Sequence, residues 1–263
     1  MNQEHSLKGL NVLITRPEGQ GQSLGQSIAA AGGNPLVLPL LRITPVEDAD
    51  SRLVIRNHIQ NLDHYDMAIF ISTNAARYGL QWIDQYWPQF PRHVKVFAVG
   101  PTTAAALSAL DCDIHCSETG MQSEDLLALP ALQHLAGLKV ALFRGVGGRE
   151  LLADTLRERG AQVDYVETYE RLEPEYAKAE LINTIKVNRI NVILITSAQI
   201  LDSLCHLVDI TEEGVNQLAL LVPSERVRQK ALDAGFVQVY CSAGANDEAI
   251  IAGLENLTGH SQD

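Results

Sequence analysis

The chain has 263 residues, of which 46% are hydrophobic, enough to bury a sizeable core in one large domain or two small ones. Its 20 basic and 32 acidic residues leave a net charge of −12, which repels nucleic acid and anionic lipid and excludes both as partners. No run reaches the roughly 20 apolar residues of a membrane span, the opening residues lack a signal-peptide core, and four cysteines are too few for a disulfide framework. A cytoplasmic protein with free thiols at Cys112, Cys116, Cys205 and Cys241 is expected.

In chain order, Gly9 to Val37 can be laid on Gly137 to Tyr165 with one constant offset: Gly9 falls on Gly137, Val12 on Val140, Arg16 on Arg144, Leu24 on Leu152 and Gly32 on Gly160. The chain therefore contains an internal repeat. Pro39 to Pro45 and Thr168 to Pro174 occupy related positions, and their prolines suit connectors. Asp48 to Asn61 and Glu175 to Arg189 follow them as polar, solvated helices. Tyr65 to Ala75 (YDMAIFISTNA) then matches Ile190 to Ile200 (INVILITSAQI), each an apolar strand ending in a small hydroxyl residue before a helix, so that Ser72 falls on Ser197. Val96 to Leu110 matches Leu218 to Leu232, with Thr102 and Ser224 at similar places. Cys116 and Ser117 recur as Cys241 and Ser242, followed by SEDLLALPAL and DEAIIAGLENL, each a capped apolar helix.

The second copy shows its pattern most plainly. Val140 to Phe143 is a short buried strand, Arg144 to Gly148 a glycine turn, Glu150 opens a helix that Gly160 ends, and Val163 to Tyr169 is a second strand. Strands alternating with helices predict an α/β fold, with open parallel sheets covered on both faces. Two such units leave a cleft, a favoured place for a small-molecule site.

The glycine turn is not a dinucleotide fingerprint, because Glu150 stands where the third glycine of G-x-G-x-x-G belongs, and the first copy fails likewise at Leu24. No phosphate-binding G-x-x-x-x-G-K-S/T occurs, and no Ser sits in G-x-S-x-G. Cys112, His115 and Cys116 lie in DCDIHC, which fits a short strand better than a metal site. Ser72, Thr73, Thr102, Thr103, Ser197 and Ser224 stand where strands give way to helices. Each alone is an ordinary helix cap, but together with free backbone N–H groups they form an array able to bind several carboxylates or phosphates. Tyr169 falls in a connector before Pro174. It either packs its ring there or offers a phenol that donates a proton to a leaving oxygen.

ITRPEGQ at 14–20, YDMAIFISTNA at 65–75, VFAVGPTTAAAL at 96–107, LFRGVGGRELL at 142–152 and the Tyr169 segment together resemble the uroporphyrinogen-III synthase family, over about Gly9 to Leu257. The resemblance implies two similar open parallel-sheet α/β domains, an internal duplication with exchanged segments, joined by a two-segment hinge with a ligand cleft between them. Residues 1–38 with 172–263 would form one domain and 43–168 the other, with crossings at 39–42 and 169–171. It implies closure of the linear tetrapyrrole hydroxymethylbilane to uroporphyrinogen III, with inversion of ring D through a spiro intermediate, loss of water and no cofactor or metal. It makes Tyr169 the residue that assists departure of the hydroxyl, and places Ser72, Thr73, Thr102, Thr103, Ser197 and Ser224 along the cleft. Arg16, Arg144 and Gly145 join them as substrate-binding candidates, although Arg16, Arg144 and Arg149 could instead tie the turns together. A monomer is expected, with room for transient contact with the enzyme that makes the bilane.

The second copy departs from the family at VPSER, where Pro223 replaces a glycine and Glu225 puts a carboxylate near the path of an acidic substrate. Two other functions share parts of this pattern. A non-enzymatic two-lobed binding protein for an anionic small molecule would share the repeat and cleft but normally needs export. A nucleotide-dependent α/β enzyme is disfavoured by the failed fingerprints.

Overall fold

A computed structural model describes residues 6–117, 122–148, 150–211 and 214–259. Its strands are β1 (Asn11–Ile14), β2 (Asn34–Val37), β3 (Arg42–Pro45), β4 (Met67–Phe70), β5 (Lys95–Ala98), β6 (Ile114–Cys116), β7 (Lys139–Gly145), β8 (Gln162–Leu172), β9 (Val192–Leu194), β10 (Ala219–Val222) and β11 (Gln238–Cys241). Between them run α1 (Gln22–Ala30), α2 (Ala49–Gln60), α3 (Thr73–Tyr86), α4 (Pro101–Ala106), α5 (Ser123–Leu127), α6 (Leu151–Glu158), α7 (Lys178–Val187), α8 (Ala198–Leu207), α9 (Glu225–Asp233) and α10 (Asp247–Gly259). None of these helices is long and apolar enough to cross a membrane.

The chain divides into two compact units, one reaching from the N-terminus to Arg42 and resuming at Leu172, the other running from Ile43 to Arg171. The first carries a sheet of order β11-β10-β9-β1-β2, the second one of order β3-β8-β7-β4-β5-β6. Under the repeat, β1 corresponds to β7, β2 to β8, β9 to β4, β10 to β5 and β11 to β6. The two sheets therefore have the same order, with β3 added at one edge of the second. Parallel pairing sets Val12 opposite Val192 in the first sheet and Met67 opposite Val140 in the second, so each sheet joins strands of both copies. Even local bonds recur. Asn11 N–H donates to Asn191 Oδ1 at 2.8 Å, and its counterpart Lys139 N–H donates to Asp66 Oδ2 at 2.8 Å.

Parallel sheets need both faces covered, and the central strands β4 and β9 are apolar at every position for that reason. In β4, Met67 and Ile69 enter one core with Val140, Leu142, Leu152 and Leu156. Ala68 and Phe70 enter the opposite core with Trp82, Phe143 and Val166, where the Phe70 and Phe143 rings stack at 4.2 Å. The first unit repeats the division, with Val192 and Leu194 packed beside Leu24 and Ile28, and Ile193 and Ile195 beside Leu201 and Leu204.

The two proline-bearing segments differ from the sequence reading. Residues 42–45, expected as part of a connector, form edge strand β3 beside β8. Pro45 closes that strand at an edge, where a missing N–H is tolerated. The predicted end of β8 at Tyr169 is also too early, because the strand continues to Leu172. Its register slips at a bulge: Glu167 lies opposite Arg144, but Tyr169 opposite Gly145, leaving Thr168 as the extra residue. Val146 N–H then donates to the Tyr169 carbonyl at 2.8 Å and extends the ladder past the slip. The two helices read as merely solvated each bury a stripe, Ile55 and Ile59 on α2 and Leu181, Ile182 and Ile185 on α7.

Candidate functional site

The carboxyl ends of parallel strands are where ligands of such sheets bind. In the second unit β4 ends at Phe70, and Ser72 turns the chain into α3. Its Oγ accepts a hydrogen bond from Ala75 N–H at 3.1 Å, a cap that leaves the Thr73 and Asn74 N–H groups without helical acceptors. Thr73 is exposed. After β5, Gly100 takes φ 81° so that Pro101 can open α4, with Thr102 exposed and Thr103 buried.

Tyr169 lies within this unit with its whole side chain buried. Its Oη is 3.1 Å from Ser72 Oγ and accepts a hydrogen bond from Arg171 Nη2 at 3.0 Å. The Arg171 guanidinium also lies 5.2 Å from the Tyr169 ring centroid, and the Tyr78 ring stacks on Tyr169 at 5.7 Å. Beneath the ring is Gly145. A Cβ built there would stand 2.5 Å from Tyr169 Cε2, so only glycine lets the ring approach the strand. Sequence reasoning named Tyr169, Ser72 and Gly145 separately, and the fold brings the three together.

Arg144 is 1% exposed, and Nη1 meets Glu150 Oε1 at 3.1 Å while the guanidinium covers the Tyr165 ring at 4.6 Å. Tyr165 itself donates to Glu150 and accepts from Arg157 at 3.1 Å, and its hydrogen bond to Glu150 is the leading cause holding that carboxyl below its ordinary value. This cluster fastens the start of α6 to β8. Arg149 lies outside the described residues.

In the first unit, Arg16 occupies the place equivalent to Arg144 and also serves as a tie, donating to Asp247 Oδ1 and to the Ala245 carbonyl, both at 2.5 Å. Ser197 Oγ accepts from Ile200 N–H at 3.2 Å, repeating the Ser72 cap. Ser224 stands at the start of α9, exposed and without a side-chain cap bond. Glu225 Oε1 accepts from Arg228 Nη1 at 2.9 Å, which offsets part of its charge. Its other oxygen accepts from the Cys241 thiol at 3.7 Å, and partial burial together with Glu225 pushes that thiol's pKa up.

Removing either cap is expected to cost about 1 kcal/mol of stability. Ser72→Ala and Ser197→Ala should therefore each lower the thermal unfolding midpoint. An unchanged midpoint in both would show that these hydroxyls do not hold their helices.

Sequence reasoning missed Arg171. The sequence reading assigns residues 169–171 to a crossing between domains, where Arg171 has no strand face to share with Tyr169. The available signal was strand alternation, since residues 169 and 171 fall on the same face once β8 is extended through both.

The fold and this site define a duplicated α/β protein with exchanged parallel strands, whose buried tyrosine is bonded to a helix-capping serine and an arginine. The family model for uroporphyrinogen-III synthase HemD matches residues 22–252. Uroporphyrinogen-III synthase of Escherichia coli is 30% identical over 252 residues, 94% of this chain and all of that protein. The synthase of Proteus mirabilis is 37% identical across 65% of this chain and 85% of its own length. Among solved structures, a mutant uroporphyrinogen III synthase from Thermus thermophilus shares the fold at a TM-score of 0.62 and 15% identity, with 96% of this chain and all of that one covered. The chain belongs to the uroporphyrinogen-III synthase family.

Proposed function

We propose that this protein is a cyclising hydro-lyase that closes hydroxymethylbilane to uroporphyrinogen III, inverting ring D and releasing water, as a monomer in the cytoplasm. Family membership supports the reaction, and the observation that carries the chemistry is the Tyr169 phenol held between Ser72 Oγ and Arg171 Nη2. In this reading Tyr169 supplies the proton that turns the leaving hydroxyl into water as the carbon–oxygen bond breaks. The pyrrole nitrogen's electron pair stabilises the resulting cation, and ring D attacks that carbon to form the spiro intermediate. Rearrangement and loss of a ring proton, returned to the phenolate, complete the cycle.

The substrate's carboxylates need donors that a net charge of −12 does not provide globally. The donors in this reading are the Ser72, Thr73, Thr102 and Thr103 segments of the second unit and Ser197 and Ser224 of the first, and what supports it within each unit is that each lies at a helix start with backbone N–H groups beside it. Arg16, Arg144 and Gly145 serve in this account as supports, since both arginines already hold carboxylates and Gly145 seats the tyrosine ring.

The substrate can close unaided to the uninverted isomer, so the enzyme must choose a product as well as accelerate. Each tenfold preference requires about 1.4 kcal/mol between competing transition states. The test is to supply fresh hydroxymethylbilane and resolve the oxidised product isomers. Isomer III in excess is expected; isomer I alone, at the spontaneous rate, would rule the enzymatic reading out.

A further inference from the structure

Tyr169 is completely buried, whereas Ser72 is only half-buried, so the phenol as placed has no direct route to a substrate. We infer that Ser72 is the group that hands the proton to the leaving hydroxyl, at the end of a chain running from Arg171 to Tyr169 to Ser72. This inference rests on the reaction proposed above and assigns its proton path.

The direction of the chain follows from counting donors. A guanidinium has no acceptor, so Arg171 Nη2 must donate to Tyr169 Oη across their 3.0 Å contact. The phenol proton then needs an acceptor, and Ser72 Oγ, at 3.1 Å, provides it. If Ser72 donated to Tyr169 instead, the phenol proton would be buried without a partner of its own, an arrangement that costs free energy. Ser72 Oγ also accepts from Ala75 N–H, which fills its second lone pair. A hydroxyl has two acceptor sites and one donor, so the Ser72 proton is left free to point outward. The N-cap bond and the arginine thereby fix the polarity of the whole chain.

The step balances without a co-reactant. Ser72 Oγ–H protonates the leaving oxygen, the Tyr169 proton moves to Ser72 Oγ, and the carbon–oxygen bond breaks to release water. Tyr169 is left as a phenolate whose charge the Arg171 guanidinium stabilises. The ring proton lost at the end of the reaction travels back along the same path. Ser72 is thus a catalytic residue touching substrate, and Arg171 a positioning residue acting through Tyr169.

The test is steady-state kinetics with isomer analysis on Ser72→Gly, Ser72→Thr, Arg171→Met and Arg171→Lys, each alone and with Tyr169→Phe. Glycine is a tolerable N-cap, so Ser72→Gly deletes the hydroxyl while sparing the helix. Its kcat is expected to fall as far as that of Tyr169→Phe, and the pair to fall no further than either alone, because both cut one path. Ser72→Thr should restore most of kcat. Arg171→Met should lower kcat about tenfold with KM little changed, Arg171→Lys should recover part of it, and the loss should vanish in the Tyr169→Phe background. Wild-type kcat in Ser72→Gly, or additive losses in the doubles, would overturn the relay while leaving isomer III as the wild-type product. A wild type that makes only isomer I would instead overturn the function itself.

Discussion

Tyr169→Phe is expected to lower kcat by about a hundredfold or less, the lower end of what general acid help contributes, with KM and the unfolding midpoint nearly unchanged. The reasoning is that the leaving hydroxyl departs from a carbon already activated by a pyrrole, so acid assistance replaces only part of the barrier. Phenylalanine keeps the ring that stacks on Tyr78 and covers Gly145, and removes only the oxygen shared by Ser72 and Arg171. The loss should thus fall on the chemical step. Tyr169→Ala should do worse, because it also empties the site beneath the ring, and Phe/Tyr-sized cavities cost about 3 to 5 kcal/mol. Full activity in both variants would sink the assignment.

Gly145→Ala should damage stability and activity at once. The added Cβ would lie 2.5 Å from Tyr169 Cε2 and 2.7 Å from Cζ, and the ring cannot simply swing aside, because Tyr78 backs it and Ser72 and Arg171 hold its oxygen. Overpacking of this kind costs about 1 to 3 kcal/mol, which in a chain of this size corresponds to a drop of roughly 2 to 12 °C in unfolding midpoint. Since catalytic geometry tolerates little displacement, kcat should fall at least as far as in Tyr169→Phe. A variant with the wild-type midpoint and wild-type kcat would show that the ring has room the structure does not display.

The contrast between these residues shows what sequence alone could carry. Ser72 and Ser197 were legible because a hydroxyl between an apolar strand and a helix has a local physical meaning, and the structure gives both the same capping bond. The alternation of Met67, Ala68, Ile69 and Phe70 between two cores likewise follows from a run apolar at every position. Tyr169 reads as lying in a connector because Pro174 is a strong local stop, and a bulge leaves no pattern in composition. Gly145 reads from sequence as part of a turn, whereas its requirement comes from a ring 24 residues later, since Tyr169 faces it across the β7–β8 pair. Arg171 required knowing where β8 ends. Periodicity revealed two copies, but it could not reveal that β1 pairs with β9 and β4 with β7, because pairing partners far apart in the chain carry no local signature.

That pairing also sets an order of events as the chain leaves the ribosome. The unit from Ile43 to Arg171 is continuous, and all six strands of its sheet are available once β8 has been made. Strand β1 has only β2 for company until β9 emerges, with Val12 waiting for Val192. The nascent protein therefore carries one finished unit behind an unfinished apolar leader for much of its synthesis. Such long-range closure is slow and leaves unpaired strand edges exposed to aggregation. Truncation anywhere before β9 would leave that leader permanently without its partner, a hazard absent from a plain tandem duplication.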